Sequence, residues 1–376
     1  MTRRELLAAF TAAAALPWDL SAADRKTRSL ILATSDGLRW QEFFTGIDAQ
    51  LLRDKDAGMG DTAESLRARL WHPTPEDRRQ ALMPFFWGTL AQQGVVLGNV
   101  NKASSIRVTN RYHNSYPGYS ELLTGRAQDD VIQGNNPVQN PTPSFLQFLK
   151  QHWNLAPEQA AVFASWEMFS YIAETRPGEI FVNAGYENSS VPAGSERVAL
   201  LNQLQKQALY IEDSARHDAF TFGLAMEYLK SVQPRLFYIA FDETDDWAHN
   251  KRYDRVLESI QFFDSALRDL WNWVQSTPAY QGTTTLILTC DHGRGKTKAD
   301  WNTHGGAPGD DQIWLAVIGP DTPARGELTN TQPHFQRDIA PTALELLGVD
   351  YRQFAGVQGK PIQDVFSTPA QSSPER

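Results

Sequence analysis

Cysteine is nearly absent from this chain. Its 376 residues contain one, Cys290, so no intramolecular disulfide can form. With no CxxC pair, a cysteine-based structural zinc site is also excluded. Cys290 lies inside an apolar run, where a lone cysteine reads as a small core residue. Basic charge is short as well. Lys and Arg number 35 against 44 Asp and Glu, a formal net charge of −9, which argues against a broad nucleic-acid surface. No apolar run reaches the roughly 20 residues that a spanning helix needs. Internal repeats and clear linkers are missing too, so a single domain is favoured. What is present is 41% hydrophobic residues, enough for a large core. Unpaired acids are also what a cation site looks like before the cation is counted.

The first residues read as a targeting segment. Arg3-Arg4 precede Leu6 to Phe10 and the run Ala12–Ala15, and Ser21-Ala22-Ala23 could form a cleavage site. Thr2 to Leu7 resembles a bacterial twin-arginine export signal. The expectation is a signal over 1–23, a domain over 24–366 and a disordered Ser/Pro-rich tail over 367–376. The protein is then soluble, exported by the twin-arginine machinery and periplasmic or secreted. Export in the folded state would suit a cofactor loaded beforehand.

Within the domain, four apolar runs read as main strands: Ser29–Ser35, Leu236–Phe241, Leu286–His292 and Ile313–Ile318. Val95–Leu97, Ala161–Ala164 and Ile180–Val182 are shorter strand candidates. A helix is predicted from Thr74, with Pro75 at its first position, to Gln93, broken or kinked at Pro84. Further helices are predicted over 119–124, 142–153, 196–211, 217–230 and 338–347, with Gly348 as the last one's cap. Apolar residues from Tyr253 to Val274 fall at helical spacing and give one long amphipathic helix. Alternating strands and helices predict an α/β class: three αβα layers with a mostly parallel central sheet. Only 140–235 leaves room for a small lid or insert.

Three of the apolar strands run straight into acids. Ser29–Ser35 ends at Asp36-Gly37, Leu236–Phe241 at Asp242–Asp246, and the run LILTC at Asp291-His292. In open α/β sheets the active crevice lies at the carboxyl ends of the strands. Asp245 and His249 are four apart, so one helical turn puts them on the same face, about 5–6 Å apart at Cβ. His304 follows a short polar loop. Asp and His together suit zinc, while carboxylate-rich sites also take manganese or magnesium. Asp36, Asp245, His249, Asp291, His292 and His304 are too many for one tetrahedral ion and suit two. Two ions about 3.5–4 Å apart suit in-line displacement at phosphorus. The nucleophile candidate is Ser115, which precedes Tyr-Pro-Gly at a predicted helix start. There the free N–H groups and the helix dipole favour a phosphoryl anion.

The order of these residues resembles the alkaline phosphatase superfamily. Asp-Gly follows the first strand, Ser115 lies in S-Y-P-G-Y-S-E-L-L-T-G, and D-x-x-x-H, D-H-G and H-G come after it. Within the superfamily, the nucleotide pyrophosphatase/phosphodiesterase-like branch is the most similar, over about Leu30 to Val349. The resemblance implies that Asp36, Asp291 and His292 hold one divalent metal, which also activates Ser115. Asp245, His249 and His304 would hold the other, which carries the attacking water. The ions would be zinc, or manganese. Asn136 would bind the phosphate.

Two departures matter. Many phosphodiesterases of this branch use Thr where this chain has Ser, which is typical of alkaline phosphatases and cofactor-independent phosphoglycerate mutases. No large inserted transferase domain is present, which argues against a mutase. Sulfatases carry an Arg four residues after the modified Cys or Ser, and here that position is Tyr119, which demotes a sulfatase. The resulting expectation is a metal-dependent phosphoric ester hydrolase working through phosphoserine on a small-molecule ester. The sequence leaves monoester and diester open. Arg39, Lys102 and Arg126 are candidates for a monoester's extra charge, and Trp40, Tyr116 and Trp301 for a diester's apolar shelf. The rival from another class is an exported metal-binding protein without catalysis.

Overall fold

The structure, a computed structural model, describes residues 25–209, 211 and 214–367. The export signal expected at 1–23 lies outside these residues. So does the expected tail, save Ser367, whose N–H donates to the Asp321 carbonyl at 3.0 Å.

The chain is α/β. Its strands are β1 (Ser29–Ser35), β2 (Val95–Leu97), β3 (Ile106–Arg107), β4 (Ala160–Ala164), β5 (Phe181–Ala184), β6 (Leu236–Phe241), β7 (Thr284–Thr289), β8 (Gln312–Ile313), β9 (Leu315–Ile318), β10 (Gly326–Glu327) and β11 (His334–Phe335). Eight of them form the central sheet in the order β10-β2-β9-β7-β1-β6-β4-β5. The pairings make every strand parallel except β9, which runs against both β7 and β2. The sheet is mostly parallel, as the alternation of elements implied. Every residue of β1, β6 and β7 is buried, which is what a sheet covered on both faces requires.

The register at the centre builds the site. β1 lies between β6 and β7, with Ser35 opposite Phe241 and Thr34 opposite Thr289. The residues that follow, Asp36, Asp242 and Cys290-Asp291, therefore emerge together at one carboxyl edge. The turn after β1 is anchored from below. The Trp314 indole N–H donates to the Leu38 carbonyl at 3.0 Å, and its ring stacks on Phe43.

The structure corrects several element boundaries. The run 313–318 is not one strand. Trp314 separates β8, which joins β3 and β11 in a small second sheet, from β9 in the central one. The 75–93 helix breaks at Pro84 as predicted, into Pro75–Leu82 and a stretch from Phe86 to Gln93. The Asp264 carboxylate, on the long helix Tyr253–Ser276, accepts from the Phe85 and Phe86 N–H groups at that break. The helix predicted at 119–124 begins earlier, at Ser115, and runs to Thr124. That over 196–211 stops at Gln205.

Candidate metal centre

At the end of β1, Gly37 turns the chain sharply with φ +55°. A Cβ there would lie 2.5 Å from Asp245 Oδ1, so only glycine fits the turn and the approach. Gly37 N–H donates to Asp291 Oδ1 at 3.0 Å, which locks the β1 and β7 ends together. Asp36 is 1% exposed, and neither of its carboxylate oxygens accepts a hydrogen bond. Asp291 Oδ2 is likewise buried and accepts no hydrogen bond. His292 Nε2 lies 3.4 Å from Asp36 Oδ1 and 3.3 Å from Asp291 Oδ2. Its Nδ1–H donates to the Gly293 carbonyl at 2.9 Å, which leaves the Nε2 lone pair facing the carboxylates. Ser115 Oγ lies 3.3 Å from that same nitrogen.

A second group meets this one. The helix Glu243–His249 presents Asp245 and His249 on one face, with Oδ2 3.0 Å from His249 Nε2. His249 Nε2 is 3.0 Å from His304 Nε2, which is 3.9 Å from Asp245 Oδ1. His304 Nδ1–H donates to the His113 carbonyl at 2.9 Å, so this imidazole also presents Nε2 inward. The two groups overlap at His292, which is 3.8 Å from Asp245 Oδ1 and stacks on His304. Measured by mutual proximity alone, His292 belongs with Asp36 and Asp291 and equally with Asp245 and His304. His249 closes the second group from its exposed side.

The electrostatics fit a divalent cation. Burial pushes the Asp36 carboxyl well above the usual range, and the charges of Asp291 and Asp242 push it further. Burial also raises Asp291. Asp242 is pushed up to about 7, by burial first and then by Asp218. Burial and the neighbouring charges of His292, Arg294 and His249 hold His304 neutral, as a ligand must be. Buried carboxylates with orphan oxygens, beside imidazoles whose lone pairs face inward, are the donor set that a divalent ion satisfies.

All six sequence-predicted ligands and Ser115 thus converge. Asn136 is exposed on its loop, and it is the neighbouring Asn135 whose Oδ1 accepts from the Tyr116 N–H, at 2.9 Å. The candidate substrate cations are occupied elsewhere or buried away. Arg39 Nε donates to Glu42 Oε2 at 2.7 Å, Lys102 pairs with Glu327, and Arg126 Nε is buried. Trp40, Tyr116 and Trp301 are buried too, and the Tyr116 hydroxyl donates to the Val138 carbonyl. They pack the core and offer no exposed shelf.

Sequence reasoning missed Arg294. It is buried, and its Nη2 donates to the Asp245 carboxylate and carbonyl. Burial lowers its pKa to about 9. A cation two residues past His292 was a readable signal. His113 and Asp310 were missed as well.

No model of a known protein family matches this chain, and no curated protein matches it. Solved structures do. The alkaline phosphatase PafA is 13% identical, with 91% of this chain and 99% of that one covered, at a TM-score of 0.56. The lipoteichoic acid synthase LtaP from Listeria monocytogenes is 13% identical, over 92% and 77%, at 0.53. A 2-O GAG sulfatase is 12% identical, over 89% and 73%, at 0.53. The chain has the fold of the alkaline phosphatase superfamily. Among the described residues no helix is long and apolar enough to cross a membrane.

Proposed function

We propose that this protein is a two-metal hydrolase of phosphate esters with Ser115 as nucleophile. Residues 24–366 form its one catalytic domain, and the 1–23 signal sends it to the periplasm or medium. The observation that carries the reading is the position of Ser115. It opens a ten-residue helix, with Oγ 3.3 Å from His292 Nε2, the nitrogen that the two ligand groups share.

Asp36, Asp291 and His292, with Ser115, would hold one ion, and Asp245, His249 and His304 the other. Zinc suits this set best, with manganese as the alternative. When bound, such ions supply Lewis acidity and lower the pKa of coordinated hydroxyls and water to about 7. Ser115 Oγ, its proton lost to solvent, bonds to phosphorus as the ester oxygen leaves and takes up a proton, giving a phosphoseryl intermediate. Water then loses a proton and bonds to phosphorus from the vacated side as the Ser115 Oγ–P bond breaks and Oγ is reprotonated. This releases phosphate from a monoester or a phosphomonoester from a diester. The helix dipole at Ser115 favours the phosphoryl charge throughout. Asn135, whose Oδ1 accepts from the Tyr116 N–H next to the nucleophile, is the candidate side-chain amide for the equatorial oxygens, and Asn136 adjoins it. Arg294 holds Asp245 in place from the buried side.

Sulfate ester hydrolysis is the second reading, supported by the fold likeness to a sulfatase. Tyr119 opposes it, because it stands where the formylglycine maturation signal carries Arg. The test is hydrolysis by zinc-loaded protein of p-nitrophenyl phosphate, bis-p-nitrophenyl phosphate and p-nitrophenyl sulfate, each with a chelated control. Chelator-sensitive release from a phosphate ester, abolished in Ser115→Ala with metal content intact, supports the reading. Release from the sulfate alone overturns it. No release with two ions bound leaves the non-catalytic metal-binding protein.

A further inference from the structure

His304 comes from a loop with no regular structure, yet its Nε2 must be held to a few tenths of an ångström. What holds it comes from a distant part of the sequence. The acceptor for its Nδ1–H is the carbonyl of His113, a residue at φ +47° just before the nucleophile helix. The His113 ring is fixed in turn, with Nδ1 2.6 Å from Asp310 Oδ1. The other oxygen of Asp310 accepts from Gly306 N–H at 2.7 Å and Ala307 N–H at 2.9 Å, on the loop that carries His304. The Asp310 carbonyl accepts from Gly293 N–H at 2.8 Å, next to His292. Asp310 is 2% exposed.

The link continues into the nucleophile helix. Asn110 Oδ1 accepts from the His113 N–H at 3.0 Å, and Asn110's own N–H donates to Glu121 at 2.7 Å. Glu121 lies on the helix that begins at Ser115. A closed path therefore runs from that helix through Asn110, His113 and Asp310 to the His304 loop.

We infer that Asp310, acting with His113, is a positioning residue that sets the second metal group by fixing His304 relative to Ser115. This rests on the two-metal reading above. Neither residue touches the ion or the ester. Asparagine is a weaker replacement for Asp310. With its oxygen toward the Gly306 and Ala307 donors its NH2 faces the His113 ring, which keeps that hydrogen bond only as the Nε2–H tautomer and without the carboxylate's charge.

The test is site-resolved zinc binding, by competition with a chromophoric chelator, on the full-length protein. Wild type is expected to bind two ions tightly. Asp310→Asn should keep one tight ion and bind the second roughly 10-fold to 100-fold more weakly, the usual cost of losing an outer-shell partner. Adding Asp310→Asn to His304→Ala should cost nothing further, because both changes act on one ligand. Should Asp310→Asn misfold, His113→Gly keeps the backbone conformation and removes the ring, and it should weaken the same ion. Two unchanged affinities in these variants overturn the clamp alone. So does equal weakening of both ions along with a fall in Tm, which marks a merely structural role. Wild type that binds fewer than two ions overturns the two-metal reading itself, and the clamp with it.

Discussion

Gly118 offers a sharp test of how the nucleophile is placed. It sits one turn into the helix that Ser115 opens, and its N–H donates to the Asn114 carbonyl at 2.9 Å. A Cβ at this position would lie 2.4 Å from the Asp291 carbonyl oxygen and 3.0 Å from its carbon. These are backbone atoms just beyond β7, and the Asp291 carbonyl is held by the Gln336 side chain, whose Nε2 donates to it at 2.6 Å. Ordinary contact needs about 3.4 Å, so Gly118→Ala must separate the helix from Asp291 by about 1 Å. Two effects then compete. Alanine gains up to about 1 kcal/mol of helix propensity over glycine. Overpacking against rigid backbone costs about 1–3 kcal/mol, so a net loss is expected. The effect on rate should be larger, because a 1 Å misplacement of a reacting group costs about 100-fold. The assay is kcat on the best p-nitrophenyl ester, beside urea unfolding of the same preparation. Gly134→Ala is the control, since its Cβ would meet nothing nearer than Asn136 Nδ2 at 4.0 Å. If Gly118→Ala kept wild-type kcat and stability, the close approach of this helix to Asp291 would be refuted.

Other perturbations follow from the same geometry. Asn135→Ala should lower kcat/KM about 10-fold, the worth of one ~1.4 kcal/mol hydrogen bond, and Asn136→Ala less. The reverse order would return the phosphate contact to Asn136. Chelation should lower Tm, since each ion at 100 times its Kd stabilises the fold by about 2.7 kcal/mol. A melting curve indifferent to chelator and to added zinc would count against resident metals. Glu327 is partly buried, which alone would raise its pKa, but hydrogen bonds from Arg79, Asn99 and Lys102 hold it below the usual range. Its stabilisation is therefore full above the ordinary glutamate pKa and lost as pH falls through the depressed one. Glu327→Gln should cost about 2 kcal/mol near pH 7 and progressively less below about pH 4.5. A constant difference across that range, read by urea unfolding, would contradict the assignment.

Much of this protein is legible in one dimension, because some rules of folding are local. Apolar runs that end in Asp36, Asp242 and Asp291 announced three parallel strands sharing one edge, since a parallel sheet gathers its strand ends. Asp245 and His249 were a pair on helical spacing alone, and Pro84 broke its helix because it lacks an N–H. Direction and partnership are not local. The reversal of β9 beyond Trp314 was hidden, because a short buried strand has the same apolar pattern whichever way it runs. Arg39, Lys102, Trp40 and Trp301 looked available for substrate, and only packing assigned them to ion pairs and core. Asn135, not Asn136, reaches Tyr116, because in a loop a one-residue step decides which side chain faces the helix. The His113–Asp310 contact joins residues 197 positions apart. No spacing rule spans that distance. It exists because β3 pairs antiparallel with β8 and the Val108 N–H donates to the Asp311 carbonyl at 2.9 Å, so the segment after β3 meets the segment before β8 beside Ser115.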